Sequence, residues 1–231
     1  MTGEAGSIPS DAPSSIKVLL VDDQELFREG VRVIVDAQPG MHVVGTAADG
    51  HQAVRMAAEL HPDVVLMDLQ MPVVDGVEAT RRLLAPDLVA GRTAPLRVVV
   101  LTTFDLDDRA ATAIRHGASG FLLKTTTPVQ LADAIRTVHA GNAVLAPHDL
   151  IALLDNHRAP RDELPRSYQR LTEKERDVLV AVARGLSNAE MAQEFFLAES
   201  TIKTHVGAVL RKLGLRDRVQ VVVFAHRHGL T

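Results

Sequence analysis

Four short apolar runs in this chain each end in a polar residue able to do chemistry. The runs span 16–21, 64–67, 98–101 and 120–123. They are followed by Asp22 and Asp23, by Asp68, by Thr102 and Thr103, and by Lys124. Short runs rich in Val, Ile and Leu, separated by helix-length stretches, are the pattern of parallel strands buried on both faces. Ligands of open α/β sheets sit at the carboxyl ends of such strands. Four strand ends of one sheet would therefore gather three carboxylates, a hydroxyl and an ammonium into one crevice. That donor set suits a hard divalent cation beside an aspartate able to take a phosphoryl group.

The spacing predicts five strand–helix repeats over the first ~140 residues. Strands are expected over 17–21, 42–45, 63–67, 97–101 and 119–123, with helices after them near 26–35, 52–60, 77–84, 107–116 and 129–140. Pro39-Gly40 stops the first helix and His61-Pro62 the second, while 86–95 reads as a loop. Gly117 and Gly141 stand where helix C-caps lie. Five repeats favour a flavodoxin-like doubly wound parallel sheet of order 2-1-3-4-5.

After Leu171 the pattern becomes all-helical. Thr172 with Glu175, and Ser187 with Glu190, have capping-box spacing. Gly185 and Gly214 close two helices, and a fourth covers 217–228. The expected organisation is a disordered tail (1–15), an α/β domain (16–141), a Pro- and charge-rich linker (142–169) and a four-helix domain (170–231). At 231 residues the chain has room for two modest domains. Its 46% hydrophobic content supports packed cores.

The absence of cysteine excludes disulfides and thiolate metal sites. No run approaches the ~20 apolar residues of a membrane span, and the polar start lacks a signal-peptide pattern. A cytoplasmic protein with no membrane partner is expected. Charge divides the halves. Residues 1–150 carry −7 and residues 151–231 carry +3, with six basic residues and one acid after position 199. Different partners for the two halves follow.

The segments VLLVDDQELFREG, HPDVVLMDLQMPVVDG, VVVLTTFDLDD and GASGFLLK resemble the receiver domain of bacterial response regulators. The resemblance implies Asp68 as phospho-acceptor and Asp22, Asp23 and Asp68 as Mg²⁺ ligands, with the Gln70 backbone carbonyl as a further ligand. It implies that Lys124 contacts the phosphoryl group, that Thr102 is the switch hydroxyl and that Phe121 is the aromatic rotamer switch. Thr125 departs from the Asp that often follows the Lys, and 86–95 is longer than usual. The segment LTEKERDVLVAVARGLSNAEMAQEFFLAESTIKTHVGAVLRKLGLRDRVQ resembles the LuxR-type helix-turn-helix. The combination is similar to NarL/FixJ-family two-component response regulators. It implies a transcription factor, not an enzyme, partnered by a sensor histidine kinase, by a double-stranded DNA operator and by a second copy of itself on DNA. In that family the resting form often has its effector helices masked by the receiver.

The third C-terminal helix can be read residue by residue. Ile202, Val206, Val209 and Leu213 form one apolar stripe. The opposite face is small and basic, which suits close approach to a major groove. Lys203, Thr204 and Gly207 are expected near base edges, and Thr201, Arg211 and Lys212 near phosphates. Ala198 stands where the family commonly has a capping Ser, at a cost of roughly 1 kcal/mol unless Ser200 caps instead. The fourth helix is apolar on two sides. Val219, Val222 and Val223 can serve the domain core. Val221, Phe224 and Ala225 are expected at a dimer contact, or else against the first domain or the linker.

Other functions leave different marks. A phosphatase working through an aspartyl-phosphate would carry a second Asp two residues after the first, where this chain has Gln70. A phosphorylation-independent transcription regulator would need no complete Asp22–Asp23–Asp68–Lys124 set. A pure protein-interaction module would need no helix-turn-helix.

Overall fold

The structure is a computed structural model that describes residues 15–92, 94–103, 108–142, 150, 152 and 162–230. The expected tail up to residue 14 and most of the expected linker lie outside the described residues.

The first half alternates β1 (Ile16–Val21), α1 (Glu25–Asp36), β2 (Met41–Ala47), α2 (Gly50–Leu60), β3 (Val64–Asp68), α3 (Gly76–Leu83), α4 (Pro86–Val89), β4 (Arg97–Thr102), α5 (Asp108–Arg115), β5 (Gly120–Leu123) and α6 (Pro128–His139). The strands form one five-stranded parallel sheet in the order β2-β1-β3-β4-β5. This is the doubly wound arrangement expected from the repeats. Strands β3 and β4 are buried at every position, which explains why their sequences run apolar without alternation.

The helix boundaries have local causes. Asp49 and Asp75 accept the backbone N–H of Gln52 and Glu78 and cap α2 and α3. His61 takes a left-handed conformation (φ 48°) ahead of Pro62, which ends α2. One expectation needs correcting. The stretch 86–95 contains the one-turn helix α4, started by Pro86 at a first-turn position where a missing N–H costs nothing.

Among the described residues from 162 onward there are a 3-10 turn (Arg166–Arg170) and four helices: α7 (Glu173–Ala183), α8 (Asn188–Glu194), α9 (Glu199–Leu213) and α10 (Arg218–Arg227). Both expected capping boxes form, Thr172 with Glu175 and Ser187 with Glu190. The Ser200 alternative is not adopted. Helix α9 starts at Ala198 with no side-chain cap. It ends on Gly214 at φ 68°, a backbone angle that favours glycine.

Two apolar clusters fill the two faces of the sheet, one centred on Val18, Leu66 and Val99, the other on Leu19, Val65 and Val98. A third runs from Ala110, Ala113 and Ile114 on α5 to Val219, Val222 and Val223 on α10, so the two halves share one buried core.

Polar contacts fix that junction. Arg216 donates to the Leu84 carbonyl at the end of α3 (2.7 Å), and Gln220 Nε2 donates to the carbonyls of Ile114 and Ala118 (3.2 and 3.0 Å). Helix ends leave carbonyls without intrahelical partners; here the second domain supplies donors for both α3 and α5. Arg97, at the start of β4, donates to the Arg216 carbonyl (2.7 Å) and lies 3.7 Å from Asp217 Oδ2. Ser119 donates to the same carboxylate (2.7 Å), which is fully buried and also caps α10 through the Gln220 N–H. A side chain at Gly117 (φ 111°) would collide with the Arg216 guanidinium, so this corner needs glycine.

Candidate functional site

Register brings the chemistry together. Val21 pairs with Met67, Asp68 with Leu101, and Thr102 with Leu123. Each reactive residue therefore leaves the sheet at the same edge. Asp22, Asp68 and Thr102 are buried there, and the Lys124 N–H donates to the Thr102 carbonyl at 2.7 Å. Oxygen atoms of Asp22, Asp23 and Asp68 all lie within 4.8 Å of one another. Asp23 is exposed at the mouth, while Asp22 and Asp68 form the floor.

The loops hold the carboxylates by their own backbone. Asp22 Oδ1 accepts the Gln24 N–H at 2.9 Å, and Asp68 Oδ1 accepts the Gln70 N–H at 3.3 Å. Gly76 packs against the end of β3 so closely that a Cβ would overlap the Asp68 carbonyl oxygen. Between these residues Val73 sits at φ 66° with 88% of its surface exposed, a strained backbone for a β-branched residue.

The Lys124 ammonium is the local counter-charge. Its Nζ lies 2.6 Å from Asp22 Oδ2 and 3.0 Å from Asp68 Oδ2, with 8% of the side chain exposed. Burial pushes the Asp68 carboxyl above its usual range, and the ammonium only partly offsets this. Burial alone would lower the Lys124 pKa; hydrogen bonds to Asp22 and Asp68 more than reverse it, and the net direction is upward. The ammonium also lies over the Phe27 ring, 4.9 Å from its centroid. Phe121 is half-buried on β5 and packs against the interdomain core, on the side of the sheet that carries α5.

The donor set fits a hard cation. All three groups are carboxylates, and no nitrogen or sulfur ligand stands among them.

The α9 surface keeps its sequence-expected face open. Lys203, Thr204, Gly207 and Arg211 are exposed, and Thr201 is half-buried. A Cβ on Gly207 would meet nothing within 4 Å, so the helix surface there is flat. Lys212 is half-buried and bridges to α7, its Nζ 2.8 and 2.6 Å from the two Glu175 oxygens. An ammonium has three donors, and Glu175 takes two of them.

On α10, Val221 and Ala225 are fully buried within the chain. Phe224 is half-buried, stacked near Tyr168 (6.5 Å between centroids) and tilted on His228 (4.5 Å).

Sequence reasoning missed the junction residues Arg97, Arg216, Asp217 and Gln220, and the contact of Phe27 with Lys124. Two signals were available. Arg97 opens an otherwise apolar buried strand, and a buried cation needs a partner. Asp217 is the single acid after position 199.

Comparison with known proteins agrees with this geometry. Residues 18–136 match the response regulator receiver domain, and residues 169–225 match the luxR family of bacterial regulatory proteins. The transcriptional regulatory protein YxjL of Bacillus subtilis is 41% identical over 93% of this chain and 97% of its own length. LiaR of the same organism is 39% identical over 93% and 99%. A LuxR-family two-component response regulator from Aurantimonas sp. SI85-9A1 superposes with a TM-score of 0.54. It is 33% identical over 62% of this chain and 99% of that one. Acidic crevice, parallel sheet and appended four-helix domain together mark the chain as a member of the two-component response regulators with a LuxR-type DNA-binding domain, a family of transcription regulators and not of catalytic enzymes.

Proposed function

We propose that Asp68 accepts a phosphoryl group from the phosphohistidine of a sensor kinase. One Asp68 oxygen would attack phosphorus, the N–P bond would break, and the imidazole would leave with the electron pair. The observation that carries this reading is the placement of Lys124 between Asp22 and Asp68 at ion-pair distance, in a crevice that Asp23 completes. Phosphoryl transfer is largely positioning and neutralisation of oxygen charge. Lys124 contributes a point charge that can move from the free carboxylate to a phosphoryl oxygen. Asp22, Asp23, Asp68 and the Gln70 carbonyl would hold Mg²⁺, which when bound supplies further neutralisation of the phosphoryl oxygens. The hydroxyl of Thr102, buried beside Lys124, would turn toward the new anion, and Phe121 would follow into the space it leaves.

That shift acts on the face carrying α5, which in this form covers part of α10. Loosening it would free the Val221, Phe224 and Ala225 stripe to pair with a second copy. Two α9 helices would then read a palindromic operator, with Lys203, Thr204 and Gly207 near base edges and Thr201, Arg211 and Lys212 near phosphates. In this form Val221 and Ala225 are buried within the chain while Lys203, Thr204, Gly207 and Arg211 are exposed, which supports a resting state that is not yet paired. Among the described residues no helix is long and apolar enough to cross a membrane, which is compatible with a cytoplasmic site of action.

The test is Asp68→Asn. The variant should take up no phosphoryl group from a small acyl phosphate, and donor-stimulated operator binding should vanish. Stimulation of the variant equal to that of the native chain would overturn the assignment.

A further inference from the structure

We propose that Phe27 is a positioning residue for phosphoryl transfer, its ring face holding the Lys124 ammonium in line with Asp68. The inference rests on Asp68 being the phosphoryl acceptor. Leu26 and Phe27 are neighbours on α1 with opposite fates: Leu26 is 88% exposed, whereas Phe27 turns inward. Phe27 and Leu122, the latter two residues before Lys124, pack against the same core cluster. Its ring centroid is 4.9 Å from Lys124 Nζ, inside the range of a cation–π contact. The ammonium thus contacts two carboxylates and an aromatic face. With 8% of its side chain exposed, water competes little for it, which is where such contacts are strongest.

The physical consequence concerns freedom of movement. A lysine side chain is a flexible four-carbon stem with many rotamers. Two carboxylates alone do not fix where the ammonium goes when one of them becomes covalently modified. Transfer from an acyl phosphate runs as follows. An Asp68 oxygen attacks phosphorus, the bond from phosphorus to the donor's bridging oxygen breaks, and the donor leaves as a carboxylate. Lys124 keeps its proton throughout. Negative charge then moves from the carboxylate to the phosphoryl oxygens, and the ammonium must follow over a short distance. The Phe27 face keeps it at the crevice during that move and stops it swinging out to solvent. Charge stabilisation that is already in place accelerates transfer, because little rearrangement is then needed at the moment of reaction.

The full-length chain is prepared with mono-, di- and trifluorophenylalanine at position 27. These substitutions keep the ring's size and weaken its negative face stepwise. With acetyl phosphate as the donor, the rate of Asp68 phosphorylation should fall at each step, by about threefold to tenfold across the series. Phe27→Leu should fall at least as far, and Phe27→Trp should restore the rate. The Lys124 Hε protons, read by NMR without any phosphodonor, should be shifted upfield by the ring and lose that shift in Phe27→Leu. In a Lys124→Ala background the fluorine trend should disappear. A flat fluorine series on an active chain, the same trend without Lys124, or no ring-induced shift would each overturn the proposal. A native chain that takes up no phosphoryl group would instead sink the functional reading, and this inference with it.

Discussion

Gln220 offers the sharpest lever on communication between the two domains. Its Nε2 donates to two receiver carbonyls, Ile114 at 3.2 Å and Ala118 at 3.0 Å, at the end of α5. Inside its own domain the side chain is not needed for capping, because Asp217 accepts the backbone N–H of residue 220. Gln220→Ala therefore removes the docking bonds and leaves α10 intact, with a better helix former in place. Each hydrogen bond contributes about 0.5–1.5 kcal/mol net. Because the side chain is half-buried, the lower part of that range applies to the pair. About 1–2 kcal/mol corresponds to roughly a 5–30-fold shift from docked to undocked chain. Gln220→Glu goes further, since it sets a carboxylate against two carbonyl oxygens. The measurement is interdomain distance by fluorescence transfer between labels on α2 and α8, in the unphosphorylated protein, alongside operator binding by anisotropy. Undocking and operator binding should rise together in the order native, Ala, Glu. If both variants keep the native distance while thermal unfolding shows them folded, the docking account of α10 is wrong.

Other expectations follow from single sites. Burial raises the pKa of Asp217, and Ser119, Arg97, the Gln220 N–H and Arg216 only partly counter it. A carboxyl raised in the docked form binds its proton more tightly there than when undocked. Docking is therefore strongest below the ordinary value of about 3.9. It weakens as pH rises from there through the raised value. Interdomain distance should increase over that span, and Asp217→Asn, which retains a capping oxygen, should flatten the dependence; identical pH profiles for both chains would contradict it. Val73→Gly should raise the unfolding free energy by about 1 kcal/mol, because an exposed side chain in a left-handed backbone adds strain without packing. Urea denaturation would show it, and a loss of stability would refute the strain argument.

The acidic crevice was legible because strand-end residues need no tertiary knowledge to be placed. Once four apolar runs pair in parallel, residues 22, 68, 102 and 124 must leave the sheet at one edge. The capping boxes at Thr172 and Ser187 were legible for a similar reason, since both partners lie three residues apart. The docking of α10 was not. Its contacts join Ser119 to Asp217 and Arg216 to Leu84, pairs about a hundred residues or more apart, and no periodicity encodes such a pairing. The second apolar stripe of α10 showed that some partner was needed, without choosing among a second copy, the linker and the receiver. The α4 turn was hidden for the opposite reason: four residues are too few to show a helical period, and Pro86 gave the sole hint.

The open face of α9 shapes how a signal would be scaled. Lys203, Thr204, Gly207 and Arg211 are exposed, whereas Val221 and Ala225 of α10 are buried within the chain. A resting chain can therefore already sample half-sites, each encounter brief. If phosphorylation pairs two copies as proposed, what it would change is valence: tethering two readers turns the second encounter into a local event at high effective concentration. Response would then steepen with the amount of protein in the cell, and a lone half-site would answer the signal weakly compared with a matched pair.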